Sequence, residues 1–391
     1  MLSFDDALAL VLAQAQPLGS ETVRLDGAQG RRLAEPIVAA VDAPPANVSA
    51  MDGYAVRSID VGAGPLRIVG ESFPGAAYRG SVPAGCCVRV FTGGAIPPEC
   101  DRVIIQEIVA SDGEEARITG SAGLATFVRP RGMDFRTGDV LVPAGRKISA
   151  RTLVTAAGAD CGELSVFRQP IVTVLATGNE LAEAGAARTI EGAIPDSASH
   201  GVAGLVSECG ARAERVRLPD DVEIIADAAA TASERSDVMV MIGGASVGDK
   251  DFAKAALERL GFELIFSKAA LRPGKPIWFG RLRGTHVLGL PGNPTSAMVT
   301  ARLFLQPLLA ALGGGDPAAE TLWRPHRAAA TLPACDERET FVRARATGEG
   351  AMPLGNQDSS VQTLADADLL IRRRPHAPAA ATGEIVEVIG F

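Results

Sequence analysis

The 391-residue sequence has few aromatic residues, a deficit of basic side chains, and no cysteine pattern typical of a metal site. Aromatics make up 4% of the chain, whereas glycine (43) and proline (25) are abundant, so we expect many tight turns and small-residue packing. The net charge of −8 excludes the basic surface of a typical nucleic-acid-binding protein. Any positively charged site must therefore be local.

The cysteines and apolar segments exclude further classes. The six cysteines form no C-x-x-C pair and no cluster with histidine at zinc spacing, so we interpret them as reduced thiols. The first residues lack the basic start and apolar core of a signal peptide. The most apolar segment, residues 297–312, is interrupted by polar residues and is shorter than a spanning helix. We expect a cytoplasmic protein that binds neither nucleic acid nor membrane.

The periodicity of the sequence predicts a multidomain α/β plus all-β protein. Strands and helices alternate over residues 169–312, which predicts a central doubly wound α/β domain. Short β-type runs predict an inserted small β-domain over residues 51–134 and a C-terminal small β-domain over residues 313–391. Residues 1–50 and 135–168 remain as one discontinuous N-terminal domain. Its opening helix is expected to pack against the helix of residues 150–157.

One stretch of the α/β region predicts a ligand site. The apolar run Val238 to Ile242 is typical of a buried parallel strand, and ligands bind beyond the carboxyl ends of such strands. No G-x-G-x-x-G follows the first strand of this region, and no nucleophile elbow occurs, which disfavours a dinucleotide site and acyl transfer. The following loop offers glycine N–H groups for an anion and carboxylates for Mg²⁺, from Gly243, Gly244, Gly248, Asp249 and Asp251.

Two later loops strengthen the prediction of a phosphate-plus-metal pocket. One holds Arg272 and Lys275, and the other is the stretch Pro291-Gly-Asn293. From the local pattern, Lys275 is compatible both with anion binding and with a solvated surface. Asp196 is compatible with a helix N-cap as well as with a site carboxylate, and Asp52 with a plain turn.

Five motifs together resemble the molybdopterin molybdenumtransferases, including the E domain of gephyrin. They match in order and spacing over nearly the whole chain, and they are Met51-Asp-Gly-Tyr-Ala-Val56, Ala176-Thr-Gly-Asn-Glu-Leu181, Gly243-Gly-Ala-Ser-Val-Gly-Asp-Lys-Asp251, Arg272-Pro-Gly-Lys-Pro276 and Leu290-Pro-Gly-Asn-Pro-Thr-Ser-Ala297. The resemblance implies a four-domain homodimer with its active site at the subunit interface. It also implies Mg²⁺ as cofactor, molybdate and adenylyl-molybdopterin as substrates, AMP as a product, and molybdenum enzymes as further partners.

The resemblance also implies roles for individual residues. The predicted catalytic residues are Asp251, Asp52, Asp196, Asp134 and Lys275, and Asp52 would reach the site from the partner subunit. The predicted metal ligands are Asp251, Asp249, Asp196 and Asp52. The predicted substrate-binding residues are Thr177, Gly178, Glu180, Ser197, Gly243, Gly244, Ser246, Gly248, Arg272, Pro276, Pro291, Gly292, Asn293, Ser296, Arg343, Ser359 and Ser360.

Several positions depart from the family pattern. Arg272 stands where a lysine is common, and Ile242 replaces a frequent serine. Val361 and Gln362 also differ from the residues usual in the last domain, so the contacts of that domain with substrate are open. The divergent last domain suggests one alternative function, a non-catalytic carrier of molybdopterin or finished cofactor. The shared α/β fold suggests another, adenylyl transfer to molybdopterin from ATP, but the extra domains and Asp52 disfavour it.

Overall fold

The computed structural model describes residues 1–243 and 252–391. Contacts between residues divide the chain into two compact units. The first, called the N-terminal unit, comprises Thr22–Gln29 and Glu35–Ser165. The second, called the α/β unit, comprises Met1–Glu21, Gly30–Ala34 and Val166–Phe391. Asp249 and Asp251 lie outside the described residues, as do Gly244, Ser246 and Gly248.

The secondary structure follows in chain order. Up to residue 158 the elements are α1 (Phe4–Ala13), β1 (Ser20–Arg24), β2 (Ile37–Val38), β3 (Val48–Ser49), β4 (Gly53–Val56), β5 (Leu66–Ser72), β6 (Cys86–Val90), β7 (Arg102–Ile105), β8 (Val109–Ser111), β9 (Glu115–Ile118), β10 (Val128–Arg129), β11 (Val140–Val142) and α2 (Ala150–Gly158). The next elements are β12 (Glu163–Phe167), β13 (Ile171–Thr177), β14 (Leu181–Ala182), β15 (Ile194–Pro195), α3 (Ala198–Glu208), β16 (Arg212–Leu218), α4 (Val222–Arg235), β17 (Val238–Ile242), α5 (Phe252–Glu258), β18 (Glu263–Ser267), β19 (Leu271–Arg272), β20 (Trp278–Leu282) and β21 (Thr285–Leu290). The last are α6 (Pro294–Thr300), a π-helical stretch (Ala301–Leu305), α7 (Gln306–Leu312), α8 (Pro317–Glu320), β22 (Arg324–Arg327), β23 (Glu339–Thr347), β24 (Gly350–Pro353), β25 (Leu369–Arg373) and β26 (Ile385–Gly390).

The N-terminal unit contains a six-stranded sheet in the order β7-β4-β6-β5-β9-β8. Alternate residues of β6 enter two different hydrophobic clusters, Cys86 and Val88 on one face and Cys87 on the other. Burial raises the pKa of the Cys87 thiol to about 12 and keeps it protonated. The β-rich region predicted from the turn spacing is therefore present.

The α/β unit is built on a six-stranded sheet in the order β16-β13-β17-β21-β20-β18. The first four strands are parallel, whereas β20 pairs antiparallel with β21 and β18 pairs antiparallel with β20. Val238 and Val240 of β17 enter one hydrophobic cluster, and Met239 and Met241 enter another on the opposite face. Burial on both faces explains the uninterrupted apolar run. The predicted doubly wound domain is confirmed, with an added antiparallel edge.

The continuous helix Pro294–Leu312 is longer than the apolar segment suggested. It has 19 residues and a mean hydropathy of 1.3, so by length and composition alone it could cross a membrane. However, 72% of it is buried within the protein, and Leu303, Phe304 and Leu308 belong to the main hydrophobic cluster. These features are those of a core helix. Arg302 is accommodated in it because its guanidinium donates to the carbonyls of Gly390 and Glu320.

The opening helix α1 packs within the α/β unit, so the expectation that it would pack against α2 was wrong. The hydroxyl of Ser3 caps the helix by accepting the Asp6 N–H at 3.1 Å. The Phe4 ring lies edge-on against Phe304 and Phe341, at centroid distances of 5.4 and 5.0 Å. The aromatic side chain therefore determines the position of this helix.

A second six-stranded sheet of the α/β unit holds the C-terminal strands. Its order is β19-β23-β25-β26-β22, with β24 paired to β23. The short strand β19 comes from the middle of the chain, and Arg272 pairs with Thr340. This pairing brings the loop that holds Arg272 and Lys275 to the C-terminal sheet. The four-part domain division given above stays a prediction.

Candidate functional site

The carboxyl ends of the parallel strands enclose a pocket of about 460 Å³. Thr177 ends β13, Gly243 follows β17 and Gly292 follows β21, and all three line it. Gly243 has a φ of 91°, and a Cβ there would lie 2.5 Å from the Thr177 carbonyl oxygen. Only glycine fits this close approach. Gly178, Glu180 and Ser197 also line the pocket, and their predicted role in substrate binding stays a prediction.

Asp196 lines the same pocket and is 3% exposed. Its Oδ1 accepts the Ser199 N–H at 3.2 Å, and its Oδ2 accepts the Ser199 hydroxyl. The Ser199 hydroxyl also accepts a bond from Arg215 at 3.0 Å. Asp196 precedes Ser197, the N-cap residue of α3, and its carboxylate accepts from the first turn of that helix while the residue lies at the pocket wall. Its catalytic and metal-binding roles stay predictions.

Asp220 also lines the pocket, and the sequence analysis did not identify it as a site residue. Its neighbour Asp221 is the actual N-cap of α4 and accepts the N–H groups of Glu223 and Ile224. The position of Asp220 after β16 was the available signal, since β16 belongs to the same parallel sheet. With Glu180, the described residues place three carboxylates around the pocket.

These carboxylates do not form a metal centre by themselves. Among residues 1–243 and 252–391, no three histidine, cysteine, aspartate or glutamate side chains are arranged to hold a metal ion. The pocket could bind Mg²⁺ through one or two carboxylates together with substrate phosphates, which is how this ion is commonly held. The chemistry of the donor set fits such an arrangement.

The N-terminus of α6 lies beside the pocket. Asn293 is its cap, and the Asn293 side-chain oxygen accepts the N–H groups of Thr295 at 3.0 Å and Ser296 at 3.2 Å. Ser296 is 9% exposed. The hydroxyl of Thr295 donates to the same Asn293 oxygen at 2.6 Å and lies 3.4 Å from the Asp358 carbonyl oxygen, so Asp358 is next to this helix end.

The loop of residues 272–276 presents two exposed cations, Arg272 and Lys275. Arg272 donates to the Asp358 carboxylate at 2.9 Å, and half of the Arg272 side chain is exposed. Lys275 is also exposed, and no hydrogen bond or ion pair of its ammonium group occurs among the described residues. A Cβ on Gly274, between them, would lie 2.2 Å from a Thr300 methyl group, so the loop backbone is packed tightly against α6. Pro276, which follows Lys275, is half-buried.

Arg343 is the most unusual residue near this loop. It is 1% exposed, and its Nη2 donates to the Asn356 carbonyl at 2.8 Å. Its Nε and Nη1 are buried and have no hydrogen-bond partner in the described part of the chain. Burial lowers the pKa of this guanidinium, and the Asp358 carboxylate opposes that effect. Protein groups thus leave two donors of this buried cation unpaired, and an anion is one group that can accept from them.

The remaining predicted substrate-binding residues lie next to the strands and loops already described. Ser359 and Ser360 follow Asp358 directly, and Pro291 is buried at the end of β21. The backbone of Arg343 is fixed by Gln357, whose side chain accepts its N–H at 2.9 Å and donates to its carbonyl at 3.0 Å. We call Arg272, Lys275 and Arg343, with the loop of residues 356–360, the arginine cluster.

Asp52 and Asp134 belong to the N-terminal unit. The Asp52 carboxylate accepts both the N–H and the hydroxyl of Thr92, at 2.7 and 2.9 Å. The Thr92 N–H bond is the main reason that the pKa of Asp52 is lowered. Asp134 is exposed, and its backbone N–H donates to the Ala43 carbonyl at 2.9 Å. These contacts do not test the catalytic roles of Asp52 and Asp134, which stay predictions.

Three family models match successive parts of the chain. Residues 2–159 match the MoeA N-terminal region (domain I and II), residues 173–311 a probable molybdopterin binding domain, and residues 326–391 the MoeA C-terminal region (domain IV). A molybdopterin molybdenumtransferase of Haemophilus influenzae is 37% identical over 319 residues, 80% of this chain and 78% of the relative. The chain belongs to the molybdopterin molybdenumtransferase family.

Other relatives agree with this assignment. A molybdopterin molybdenumtransferase of Synechococcus elongatus is 33% identical over 374 residues, which is 92% of either chain. A crystal structure of a molybdopterin biosynthesis MoeA protein from Pyrococcus horikoshii has a TM-score of 0.86 and 28% identity, covering 100% of this chain and 99% of that one. Membership of the molybdenumtransferase family and the α/β plus all-β fold class are thus confirmed.

Proposed function

We propose that the protein transfers molybdenum from molybdate to adenylyl-molybdopterin with release of AMP, as a cytoplasmic enzyme of molybdenum cofactor biosynthesis. The observation that carries this proposal is the buried Arg343 guanidinium with two unpaired donors beside the exposed Arg272. A tetrahedral oxyanion such as molybdate accepts hydrogen bonds on every oxygen. It therefore supplies what these donors lack, and two guanidinium groups balance its charge.

The pocket at the strand ends would take the phosphates of the substrate. Its lining contains Asp196, Asp220 and Glu180 and no basic side chain among the described residues, so a phosphate entering it needs a cation. We propose that Mg²⁺ enters with the substrate and is held by Asp196, with Asp249, Asp251 and Asp52 as further ligands. When bound, the ion neutralises phosphate charge.

The protein residues then position the reactants. Backbone glycines at the strand ends allow the substrate to approach closely, Asn293 holds the N-terminus of α6 in place, and Arg343 with Arg272 and Lys275 holds molybdate. Breaking the phosphoanhydride produces two anions, so fixed positive charge and exclusion of water are the main contributions we assign to the chain. No covalent enzyme intermediate is needed.

The N-terminal unit has an apolar groove that would form the dimer contact. Leu25, Leu153, Val154 and Ala157 line an open depression of about 490 Å³ at α2, and Val154 is 74% exposed. A helix that directs apolar residues outward favours a protein partner. We propose a second copy of the chain as that partner, with Asp52 acting in the neighbouring active site.

Subunit exchange tests this arrangement. At a limiting Mg²⁺ concentration, the variants Asp52→Asn and Asp196→Asn should each release AMP slowly, whereas a mixture of the two should regain part of the activity, because mixed dimers contain one site with both aspartates intact. Val154→Asp should shift the mass measured by light scattering from dimer to monomer. Leu124→Asp, which changes a 95% exposed residue of the same unit, is the matched control. An inactive mixture would show that Asp52 acts within its own subunit.

The decisive experiment is AMP release from adenylyl-molybdopterin and Mg²⁺, with and without molybdate. We expect release to depend on molybdate and to stop when EDTA removes the metal. A carrier protein would bind the substrate tightly without molybdate-dependent release, so that result would replace the transferase proposal. The carrier is not favoured by the relatives, which are named as molybdenumtransferases.

A further inference from the structure

A second pocket adjoins the strand-end pocket within the α/β unit. It has a volume of about 340 Å³ and lies between α3, α6 and the segment of residues 361–367. Ser197 and Pro294 line both pockets, so the two are neighbouring compartments of one cleft. Each has the size of a typical small-molecule compartment, for which about 300–1,000 Å³ is usual.

The linings of the two compartments differ. Leu205, Met298, Leu364 and Phe391 give the second pocket apolar walls, whereas the first has three carboxylates. Gly201 makes room for Met298, because a Cβ on Gly201 would lie 2.7 Å from the Met298 sulfur. Flat apolar walls and a thioether favour an aromatic ring.

The charged groups of the second pocket indicate which kind of aromatic ring it can bind. Arg302 is the one basic residue in its described lining, and its guanidinium is already bonded to the carbonyls of Gly390 and Glu320. A phosphate would therefore find no free cation there. Glu208, by contrast, is exposed at the wall, and its carboxylate has no hydrogen bond or ion pair among the described residues.

We infer that this second pocket binds the pterin ring of the substrate, with the Glu208 carboxylate accepting from the pyrimidine edge of the pterin. That edge presents two adjacent donors, the ring N3–H and the 2-amino group, which match the two oxygens of a carboxylate. Adenine presents one donor beside the N1 lone pair, which a carboxylate would repel. This inference rests on the proposed function, since it places the substrate's two rings: pterin here and adenine elsewhere.

Binding of separate fragments tests the inference. The probes are 6-methylpterin, followed by its fluorescence, and AMP, followed by calorimetry, each titrated into the full-length protein. Glu208→Gln should weaken pterin binding about tenfold or more, because an amide oxygen can accept from only one of the two donors. Binding of AMP should not change.

A second variant fills the pocket. Leu205→Trp should abolish pterin binding, whereas Ser207→Trp, on the same helix and exposed outside the pocket, should bind like the wild type. Leu205 packs against the core, so a thermal melt must accompany this variant. If it does not fold, Val361→Trp replaces it, because Val361 lines the pocket and is 49% exposed.

The outcomes separate the two proposals. Weakened pterin binding with unchanged AMP binding supports the assignment. Absence of pterin binding in the wild type, unchanged pterin binding in both pocket variants, or weakened AMP binding alone overturns it. If the wild type releases AMP in a molybdate-dependent manner while the pocket variants behave normally, only the pterin assignment fails. If pterin binding follows the prediction but no AMP is released, only the transferase proposal fails.

Discussion

The strand-end pocket and the arginine cluster lie in the same unit but have opposite chemistry. The pocket is lined by Asp196, Asp220 and Glu180, whereas the cluster contains Arg272, Lys275 and the buried Arg343. The pocket is formed by the ends of parallel strands, and the cluster is formed where β19 pairs with β23 of the C-terminal sheet. One region suits a metal with phosphates, and the other suits a bare oxyanion.

This difference explains why the reaction needs two regions. A phosphoanhydride and molybdate are both anions and repel each other when they are brought together. In the proposed reaction, carboxylates with a divalent ion would bind the phosphoanhydride, and guanidinium groups would bind molybdate without a metal. Substitutions in the strand-end pocket should therefore change the Mg²⁺ requirement of AMP release, and substitutions in the arginine cluster should change its molybdate requirement.

The largest effect is expected from Arg343→Met. This change removes two buried donors that we assign to molybdate, so molybdate-dependent AMP release should fall by about 10²–10³, as for loss of a preorganised oxyanion donor. Binding of adenylyl-molybdopterin should change little. Steady-state release against molybdate concentration, with calorimetry for the substrate, measures both quantities.

Arg345→Met provides the matched control for Arg343. Arg345 lies two residues further along β23 and is exposed, so its loss should leave AMP release near the wild-type rate. If AMP release by a folded Arg343→Met protein depends on molybdate as in the wild type, molybdate does not bind at the arginine cluster.

Asp196→Asn should have the next largest effect, and it should change the requirement for Mg²⁺ instead of the requirement for molybdate. The single amide oxygen can still accept one of the two Ser199 bonds but contributes no charge, so the Mg²⁺ concentration for half-maximal release should rise at least about tenfold. Asp221→Asn is the control, because asparagine also caps helices and Asp221 is the N-cap of α4. A shift in the molybdate requirement instead of the metal requirement would contradict the division of roles.

The sequence predicts the strand-end pocket better than the arginine cluster. A buried strand followed by glycine identifies the pocket locally, because parallel strands place their carboxyl ends at one edge. The Arg272 loop was also visible. The burial of Arg343 was not, because it depends on the pairing of β19 with β23, over sixty residues apart in the chain, and Arg343 was identified only through the family resemblance.

Errors in the sequence analysis have a similar origin. The α1 helix was assigned to the wrong packing partner, since a short amphipathic helix does not indicate which core receives it. Asp220 and Asp221 are equivalent as caps by local pattern, and only the backbone geometry directs one to the helix and the other to the pocket. Local patterns identify chemical groups, but tertiary contacts decide which of them face a ligand.

His286, at the amino end of β21, belongs to neither region, and we expect it to make the stability of the protein depend on pH. It is 5% exposed and its Nδ1 has no partner among the described residues, and burial lowers its pKa from 6.5 to about 4. Between these values the unfolded chain binds a proton that the folded chain does not. The free energy of unfolding should therefore decrease by about 3 kcal/mol as the pH falls from 6.5 to 4.

Urea unfolding at several pH values measures this loss. His286→Gln should remove most of the dependence in that interval, even if it lowers stability at every pH. His326→Gln, at a partly exposed position of β22, is the control and should retain the dependence. An unchanged slope for His286→Gln would place the titrating group elsewhere.

The smallest effect is expected from Arg272→Lys. Lysine keeps the charge but replaces a planar fork by a point charge, and the Asp358 ion pair is half exposed and contributes little to stability. The KM for molybdate should therefore rise only a few-fold, with kcat unchanged. Arg272→Met should raise KM further without reaching the loss seen for Arg343→Met, because an exposed cation is partly replaced by solvent whereas a buried one is not. An equal loss for both arginines would show that burial does not distinguish them.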